Sequence, residues 1–180
     1  AKAAPLYLLL HKPTGYITTY RDPHGRPTIY DLLKERREYV FPVGRLDLET
    51  SGLLLLTNDT QFAERLTNPE FKVPKTYAVA ASRAMTDEEL DRLRNGLELK
   101  DGPTRPALVR RLSDSSFHIT ITEGRNRQVR RMVEAVGAEV VALARIAIGS
   151  LTLGDLESGA LRELTAAEVA ELGGGAASSR

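Results

Sequence analysis

Short apolar runs of strand length recur along the chain, separated by turns rich in Gly, Pro, Asn and Asp. Runs of this kind predict β-strands when turn signals bound them on both sides. The first two runs flank a turn at residues 12–15, so we expect the chain to open with a β-hairpin. The predicted strands cover residues 6–10, 16–20, 39–43, 53–57, 75–81, 106–112, 117–122, 140–148 and 151–153.

Helical patterns are fewer and have clear end signals. The best one covers residues 126–136, where apolar residues at i, i+3, i+4 and i+7 form one stripe and Gly137 follows as a C-cap. Because strands outnumber helices and do not alternate regularly with them, we predict an α+β fold with a largely antiparallel sheet. The other helices are predicted to begin at Thr28, after Asp59, at Thr86 with Glu89 as a capping box, and at Thr165 with Glu168.

Composition narrows the class of protein. The chain has 180 residues, 42% of them hydrophobic and 27% charged, which suits one domain or two small interlocked ones. The absence of cysteine excludes a disulfide scaffold, a thiolate metal site and a catalytic cysteine. No apolar run approaches the ~18 residues of a membrane span, and the first residues contain no hydrophobic signal core. We therefore expect a cytoplasmic protein with no membrane partner.

The formal net charge of +1 hides an uneven distribution of charge. Five acids and two bases follow residue 154, whereas residues 105–131 contain seven arginines and only two acids. Arginine binds phosphate through paired hydrogen bonds and stacks on bases, so this segment favours a nucleic-acid partner. A solvated, salt-bridged surface explains the same charges equally well.

The candidate chemistry centres on a carboxylate. The histidines, His11, His24 and His118, are far apart without metal-ligand spacing, and neither a nucleophile elbow nor a phosphate loop is present. We therefore expect no metal and no cofactor. Asp47 lies two residues after Arg45 and just before a buried strand, where a rigid base can hold a side chain at the edge of a cleft. A solvated turn is nevertheless the commoner setting for a single loop aspartate.

Two basic features accompany this carboxylate. Lys75 and Tyr77 are two residues apart on a predicted strand and so share one face, where they could support a flipped base and its phosphate. These two residues alone favour the simpler interpretation of an edge-strand tyrosine beside a lysine whose stem covers apolar surface. The arginines near residue 126 are expected at the rim of the best helix, where they oppose its dipole. That placement favours phosphate or carboxylate binding, and the alternative is that Arg130 pairs with Glu134.

Three sequence blocks, taken together and in order, closely resemble the signature blocks of the RsuA family of ribosomal RNA pseudouridine synthases. The resemblance covers residues 6–164, nearly the whole chain. It implies a pseudouridine synthase fold in which two α+β halves share a mixed, mainly antiparallel sheet flanked by helices, with a central cleft. It also implies isomerisation of a uridine in ribosomal RNA without a cofactor. The blocks are Gly44-Arg45-Leu46-Asp47 with Ser51-Gly52-Leu53-Leu54, Lys75-Thr76-Tyr77, and Glu123-Gly124-Arg125-Asn126-Arg127-Gln128-Val129-Arg130-Arg131-Met132, and the opening turn His11-Lys12-Pro13-Thr14-Gly15 also looks like that family's.

The resemblance also implies roles for individual residues. Asp47 matches the catalytic aspartate, Tyr77 the active-site tyrosine and Arg130 the arginine that pairs with the aspartate. Arg45 is expected to support the active site. RNA contacts are expected from Lys75, Arg125, Asn126, Arg127 and Arg131.

Many members of the family carry a small S4-type RNA-binding domain ahead of the catalytic region, whereas here the first catalytic strand is predicted from Leu6. We therefore expect a catalytic core over residues 1–172, in interlocked halves of about 1–67 and 68–172, and a flexible tail over residues 173–180. Residues 22–28 look more like the large-subunit enzymes. The expected partner is ribosomal RNA, preferably of the large subunit, or a ribosome assembly intermediate, bound by a monomer.

Two other functions stay open at the level of sequence. A non-catalytic RNA-binding or ribosome-assembly factor could keep the same fold. A hydrolase of another class could use Asp47 together with His11 or His24.

Overall fold

Most strands lie in one mixed sheet against which the helices pack. The structure is a computed structural model that describes residues 4–19, 22–33 and 39–173. The strands are β1 (Tyr7–Lys12), β2 (Phe41–Pro42), β3 (Thr50–Thr57), β4 (Lys75–Ala81), β5 (Glu98–Leu99), β6 (Gly102–Pro103), β7 (Leu108–Arg111), β8 (Ser116–Ile121), β9 (Val140–Ile148), β10 (Leu151–Thr152) and β11 (Leu161–Glu163). The helices are α1 (Tyr30–Leu33), α2 (Thr60–Thr67), α3 (Asp87–Asn95), α4 (Gln128–Ala135) and α5 (Ala166–Leu172), with a 3-10 turn at Pro69–Phe71.

The main sheet has the strand order β11-β1-β3-β9-β4-β8-β7, with β2 paired to β3 and β10 paired to β9. Among these pairings only β3 and β9 run parallel, with Thr50 opposite Leu143 and Gly52 opposite Arg145. The strands β5 and β6 form a separate hairpin. The predicted α+β class and mainly antiparallel sheet are therefore confirmed. In the described ranges, no helix is long and apolar enough to cross a lipid bilayer.

The predicted opening hairpin is wrong. β1 pairs with β3 on one side and β11 on the other, and Ile17 forms only an isolated bridge with Thr28. Leu8, Leu9 and Leu10 of β1 are all fully buried, so this strand needs apolar neighbours on both faces. The leucines of β3 provide them, whereas the segment after the turn is too polar to do so. Residues 20 and 21 of the predicted second strand lie outside the described residues.

Helix signals in the sequence were more reliable. Both capping boxes form: Thr86 accepts from the Glu89 amide at the start of α3, and Thr165 accepts from the Glu168 amide at the start of α5. In α4 the predicted apolar stripe is buried against the sheet. Gly137, which follows α4, has φ +92°, as expected for a residue that ends a helix in the left-handed region.

The two ends of the chain share one apolar cluster. Leu9 and Leu55 from the first strands pack with Ile148, Leu151 and Leu172 from the last third of the chain. The later part of the chain thus returns to cover the sheet on the side where it began. The division into halves at residues 67 and 68 stays a prediction, and residues 174–180 of the predicted tail lie outside the described residues.

The parallel pairing of β3 with β9 requires a glycine. Gly52 has φ +114°, and a Cβ atom placed on it would lie 2.1 Å from the carbonyl oxygen of Arg145. Real Cβ atoms do not approach a backbone oxygen so closely, and a side chain at this φ is strained as well. The Ser51-Gly52 step of the first sequence block is therefore explained by packing between the two strands.

We predict that Gly52→Ala lowers the free energy of unfolding by about 2–5 kcal/mol, because backbone strain adds to a clash with the main chain. Gly124→Ala is the matched control, since a Cβ there meets nothing within 4 Å. Urea unfolding of both variants measures the effect. Equal unfolding free energies for the two variants would contradict the packing argument.

Candidate active site

A cleft of about 460 Å³ opens between the loop before β3 and the start of α4. Residues from both predicted halves meet there, including Asp47 and Arg45 from the first block and Lys75 and Tyr77 from the second. The cleft combines charged side chains at its rim with buried apolar ones below. It is lined by Gly44, Arg45, Leu46, Asp47, Thr50, Thr67, Lys75, Tyr77, Ile121, Gly124, Arg125, Asn126, Arg127, Gln128, Val129, Leu143 and Arg145.

A buried ammonium group holds the backbone of the Asp47 loop. Lys12, at the end of β1, is fully buried, and its Nζ donates to the carbonyls of Pro13, Asp47 and Thr50 at 3.1, 2.9 and 2.8 Å. Burial lowers the pKa of Lys12 to about 8, and the nearby Asp47 carboxylate partly opposes this shift. Thr18 adds a second anchor, since its hydroxyl donates to the Leu46 carbonyl at 2.8 Å. The loop is thus fixed while the Asp47 carboxylate stays about one third exposed.

Arg127 is the ion-pair partner of Asp47. Its Nη1 lies 3.1 Å from Asp47 Oδ2, and its Nη2 lies 3.4 Å from Glu49 Oε1. The Arg127 backbone has φ +51°, an uncommon conformation for a residue with a side chain. This conformation comes directly before α4, so the strained residue stands at the point where the helix faces the carboxylate.

The expected pairing of Arg130 with Asp47 is not formed, and its expected place at the solvent side of α4 is also wrong. Arg130 is buried, and its Nη2 donates to the Glu49 carbonyl at 3.2 Å and to the Thr50 hydroxyl at 3.3 Å. It does not bond Glu134 either, which was the alternative. The packing of α4 against the sheet carries this arginine inward with the apolar stripe. Arg130 therefore fixes the backbone that follows Asp47.

The second block contributes one face of β4 to the cleft. Lys75 and Tyr77 both line it, as their two-residue spacing predicts. Burial lowers the pKa of Lys75, and the positive charge of Arg145 lowers it further. The interpretation of an exposed edge-strand pair is wrong, because β4 lies in the interior of the sheet between β9 and β8.

The remaining predicted site residues, Arg45 among the active-site supports and three of the RNA contacts, divide into two groups. Arg45 and Asn126 are exposed at the rim of the cleft. Arg125 also lines the cleft, but its guanidinium already donates to Asp101 and to the carbonyl of Gly102. Arg131 forms a salt bridge with Asp101 at 2.9 Å and does not line the cleft.

Sequence reasoning missed Arg145. It lies in β9 at the bottom of the cleft with 5% of its surface exposed, and its Nε donates to the Leu53 carbonyl at 2.9 Å. One signal was present in the sequence, since Arg145 is the single charged residue in the nine-residue strand Val140–Ile148. Charged side chains are almost never fully buried without a reason, so an arginine inside an apolar strand marks a candidate site.

Gln128 was also missed as part of the cleft. It is buried at the start of α4, where its Oε1 accepts from the Arg125 amide and its Nε2 donates to Glu123 at 2.9 Å. These bonds tie the start of the helix to the preceding loop. The role is structural, and it fixes the place from which Arg127 reaches Asp47.

The arrangement supports chemistry by a carboxylate among cations. Asp47 supplies an anion that can attack carbon or accept a proton, and tyrosine and lysine side chains stand in the same cleft. None of the three histidines lines the cleft; His11 Nδ1 lies 2.7 Å from the Leu156 carbonyl. The described residues contain no group of three or more His, Asp or Glu able to hold a metal ion.

Comparison with known proteins defines the class. The family model described as RNA pseudouridylate synthase matches residues 6–135. The chain therefore belongs to the RNA pseudouridylate synthase family and is an enzyme of that class, as its sequence blocks indicated. The fold agrees, since a solved structure titled "Crystal structure of pseudouridylate synthase" superposes with a TM-score of 0.89 at 36% identity, covering 94% of this chain and 74% of that one.

Curated relatives specify the resemblance further. The chain is 44% identical over 174 residues to the "Ribosomal large subunit pseudouridine synthase B" of Bacillus subtilis, covering 93% of this chain and 71% of that protein. It is 43% identical over 171 residues to an "Uncharacterized RNA pseudouridine synthase" of Aquifex aeolicus, covering 92% and 69%. A more distant structure, of an H/ACA RNP bound to a substrate RNA, shares the fold at 16% identity and a TM-score of 0.60, covering 82% of this chain and 48% of that one.

We predict that activity falls as pH rises through about 8, because a neutral Lys12 amine has only two N–H donors for three carbonyls. Stability should change in the opposite sense. The folded protein releases this proton near pH 8 and the unfolded chain near 10.5, so this group alone makes the free energy of unfolding rise with pH between those values. Single-turnover rates and urea unfolding across this range measure both effects.

Lys12→Met is the control for this pH dependence. It should be slower than the wild type by about 10-fold or more, because the Asp47 loop loses its anchor, and its residual rate should lack the fall near pH 8. A wild-type rate that stays constant to about pH 9.5 would show that the charge of Lys12 does not matter.

Proposed function

We propose that this enzyme converts a uridine of large-subunit ribosomal RNA to pseudouridine, with Asp47 as the catalytic group. The observation that carries the proposal is the position of the Asp47 carboxylate, which stands one third exposed in the cleft beside Arg127. The name of the Bacillus subtilis relative supports the large-subunit target. Residues 22–28 also look like those of large-subunit enzymes.

The reaction needs an anion next to the sugar of the target nucleotide. The bond between N1 of uracil and C1′ of ribose breaks, the base rotates, and C5 bonds to C1′ in its place. Asp47 can act as the nucleophile at C1′ or as the base that removes the proton from C2′. Both roles need a carboxylate at the same place, and the salt bridge from Arg127 helps to hold it there.

The target uridine has to leave its stack to reach this carboxylate. Enzymes that modify a base inside structured nucleic acid extrude the nucleotide into a pocket. Tyr77 is suited to stack on the extruded uracil, and Val129 supplies an apolar contact from the start of α4. Arg45, Asn126 and Arg127 at the rim are suited to hold phosphates of the surrounding RNA.

Two of the expected RNA contacts have weaker support. Arg125 and Arg131 share Asp101 as an ion-pair partner, at 3.1 and 2.9 Å. A guanidinium that is already paired gains less from a phosphate, because it has to give up an existing bond. We therefore propose that these two arginines chiefly fix the loop before α4.

The two other functions have less support. A pure RNA-binding factor has no use for a buried Lys12 and a buried Arg130 that together fix the loop of one carboxylate. A hydrolase that pairs Asp47 with His11 or His24 lacks the contact it needs, since neither histidine lines the cleft. We propose further that the enzyme acts in the cytoplasm as a monomer. Its substrate is ribosomal RNA or an assembly intermediate.

We predict that Asp47→Asn folds normally and loses activity by at least about 10³-fold, because the amide is neither a nucleophile nor a base. Tritium released from ribosomal RNA labelled with [5-³H]uridine measures the reaction, since C5 loses its hydrogen when it bonds to C1′. The control is Asp155→Asn, which changes an exposed acid that does not line the cleft. Release by Asp47→Asn at the wild-type rate would refute the assignment, and RNA binding by the wild type without any release would favour the non-catalytic factor.

We also predict that Arg45→Gln weakens RNA binding and reduces the slope of log K against log salt by about 1, as expected for the loss of one phosphate contact. Arg162→Gln is the control, because Arg162 pairs with Glu168 at 2.9 Å and lies outside the cleft. Filter binding at several salt concentrations gives both slopes. An unchanged slope for Arg45→Gln would place the RNA backbone elsewhere.

A further inference from the structure

The bottom of the cleft contains a buried cation without a counter-ion. Arg145 is 5% exposed and forms no salt bridge with any of the described residues. Its Nε bonds the Leu53 carbonyl, but its Nη2 is buried and has no hydrogen-bond partner. A buried, unpaired charge of this kind costs stability. Such a cost is typical of a group that binds a ligand.

A second cation lies near the first. Lys75 lines the same cleft, and the positive charge of Arg145 contributes to lowering its pKa. Lys75 also forms no salt bridge within the described part of the chain. Two like charges in a partly dry cleft repel each other, and an anion between them would remove both the repulsion and the unmet hydrogen bond of Arg145. The site is therefore complementary to a group that carries negative charge.

Depth separates this site from the positions suited to phosphate. Arg45, Asn126 and Arg127 are exposed at the rim, where a phosphodiester can keep most of its water. Around Arg145 the cleft is lined by Ile121, Val129 and Leu143, which are 4%, 4% and 7% exposed. A flat ring with apolar faces and polar edges fits such walls better than a phosphate group does, because a phosphate is tetrahedral and strongly hydrated.

We propose that Arg145 and Lys75 bind the carbonyl oxygens of the target uracil and stabilise the negative charge that this ring acquires when it leaves the sugar. This inference rests on the proposed function. When the N1–C1′ bond breaks, its electron pair stays on the ring, and the charge spreads over N1, O2 and O4. The carbon C1′ is satisfied either by a bond from Asp47 or by a C1′–C2′ double bond that forms as Asp47 takes the C2′ proton. After rotation, C5 bonds to C1′ as the Asp47–C1′ bond breaks or as the C2′ proton returns from Asp47. The C5 proton then leaves, and N1 takes up a proton.

The pair of cations also explains how the detached base stays in the cleft. Between cleavage of the N1–C1′ bond and formation of the C5–C1′ bond, the ring has no covalent link to the RNA, and it has to turn without escaping. A planar guanidinium with a free N–H edge can bond one oxygen of the ring after another as it rotates. The two cations attract the ring without a covalent bond to it, so the ring can rotate while it stays in the cleft.

Arg145→Gln tests the inference by separating the chemical step from binding. We expect the single-turnover rate of tritium release at saturating RNA to fall by about 10²-fold or more, as when one donor to a developing anion is removed. The Kd for ribosomal RNA should change by less than about 3-fold, because the interaction develops as the bond breaks. Arg145→Lys, which keeps the charge, should recover part of the rate.

A second arm distinguishes a base from a phosphate as the bound group. The probe is an RNA fragment that contains the modified site but lacks the target base. We expect the wild type and Arg145→Gln to bind this abasic RNA equally well. Weaker binding of the abasic RNA by the variant, with the rate restored at saturating RNA, would show a phosphate contact and overturn the inference. A wild-type rate for Arg145→Gln would overturn it too.

Lys75→Met keeps the test decisive if Arg145→Gln does not fold, since Lys75 makes no hydrogen bond that the fold needs. The same rate loss with unchanged Kd is expected, and Lys100→Met, in an exposed turn, is the matched control. A wild-type rate for Lys75→Met would then overturn the inference. Failure of the proposed function is distinguishable, because in that case the unmodified enzyme itself releases no tritium.

Discussion

The close approach of β3 to β9 is the constraint on which the site depends. At Gly52 the two strands are so near that no side chain fits, since a Cβ atom would lie 2.1 Å from the Arg145 carbonyl oxygen. This pairing is the parallel step in a sheet whose other described pairings are antiparallel. It brings the end of the Asp47 loop beside the strand that carries Arg145, and β4 with Lys75 and Tyr77 lies next to β9. The candidate catalytic residues come from separate sequence blocks, and they are neighbours because the strands and loop that carry them are adjacent in the sheet.

Buried charge stabilises the geometry of the carboxylate rather than the fold in general. Lys12 and Arg130 are both buried, and between them they bond the carbonyls of Asp47, Glu49 and Thr50. Replacing such groups by apolar ones often leaves stability unchanged or improves it, so their presence needs another explanation. The explanation here is position. A loop whose carbonyls are fixed from two sides presents its aspartate in one place, which is what a reaction at C1′ or C2′ of a bound nucleotide requires.

Local signals made much of the fold predictable. The strand Lys75–Ala81, both capping boxes and the buried stripe of α4 follow from periodicity and end signals within a few residues. The opening hairpin was wrong because strand pairing is a non-local choice. β1 pairs with β3, about forty or more residues later in the chain, because the buried leucines of β1 pack beside the leucines of β3. The family blocks pointed to Asp47 and Tyr77, which the fold brings into one cleft, but no spacing rule could show that Arg127 rather than Arg130 reaches the carboxylate.

Counting arginines in the sequence could not separate structural arginines from candidate ligand-binding ones. Their hydrogen bonds and salt bridges in the structure make that distinction. Of the arginines near α4, Arg125 and Arg131 are held by Asp101, and Arg130 is held by backbone and a hydroxyl. Much of the positive charge in residues 105–131 thus has an internal use, as the interpretation of a salt-bridged surface supposed. Among the arginines that line the cleft, Arg45 and Arg145 form no ion pair within the described residues, and both lie outside that segment. A buried guanidinium with an unmet hydrogen bond inside the cleft therefore marks a candidate binding residue more specifically than local charge density does, because burying an unpaired charge costs stability.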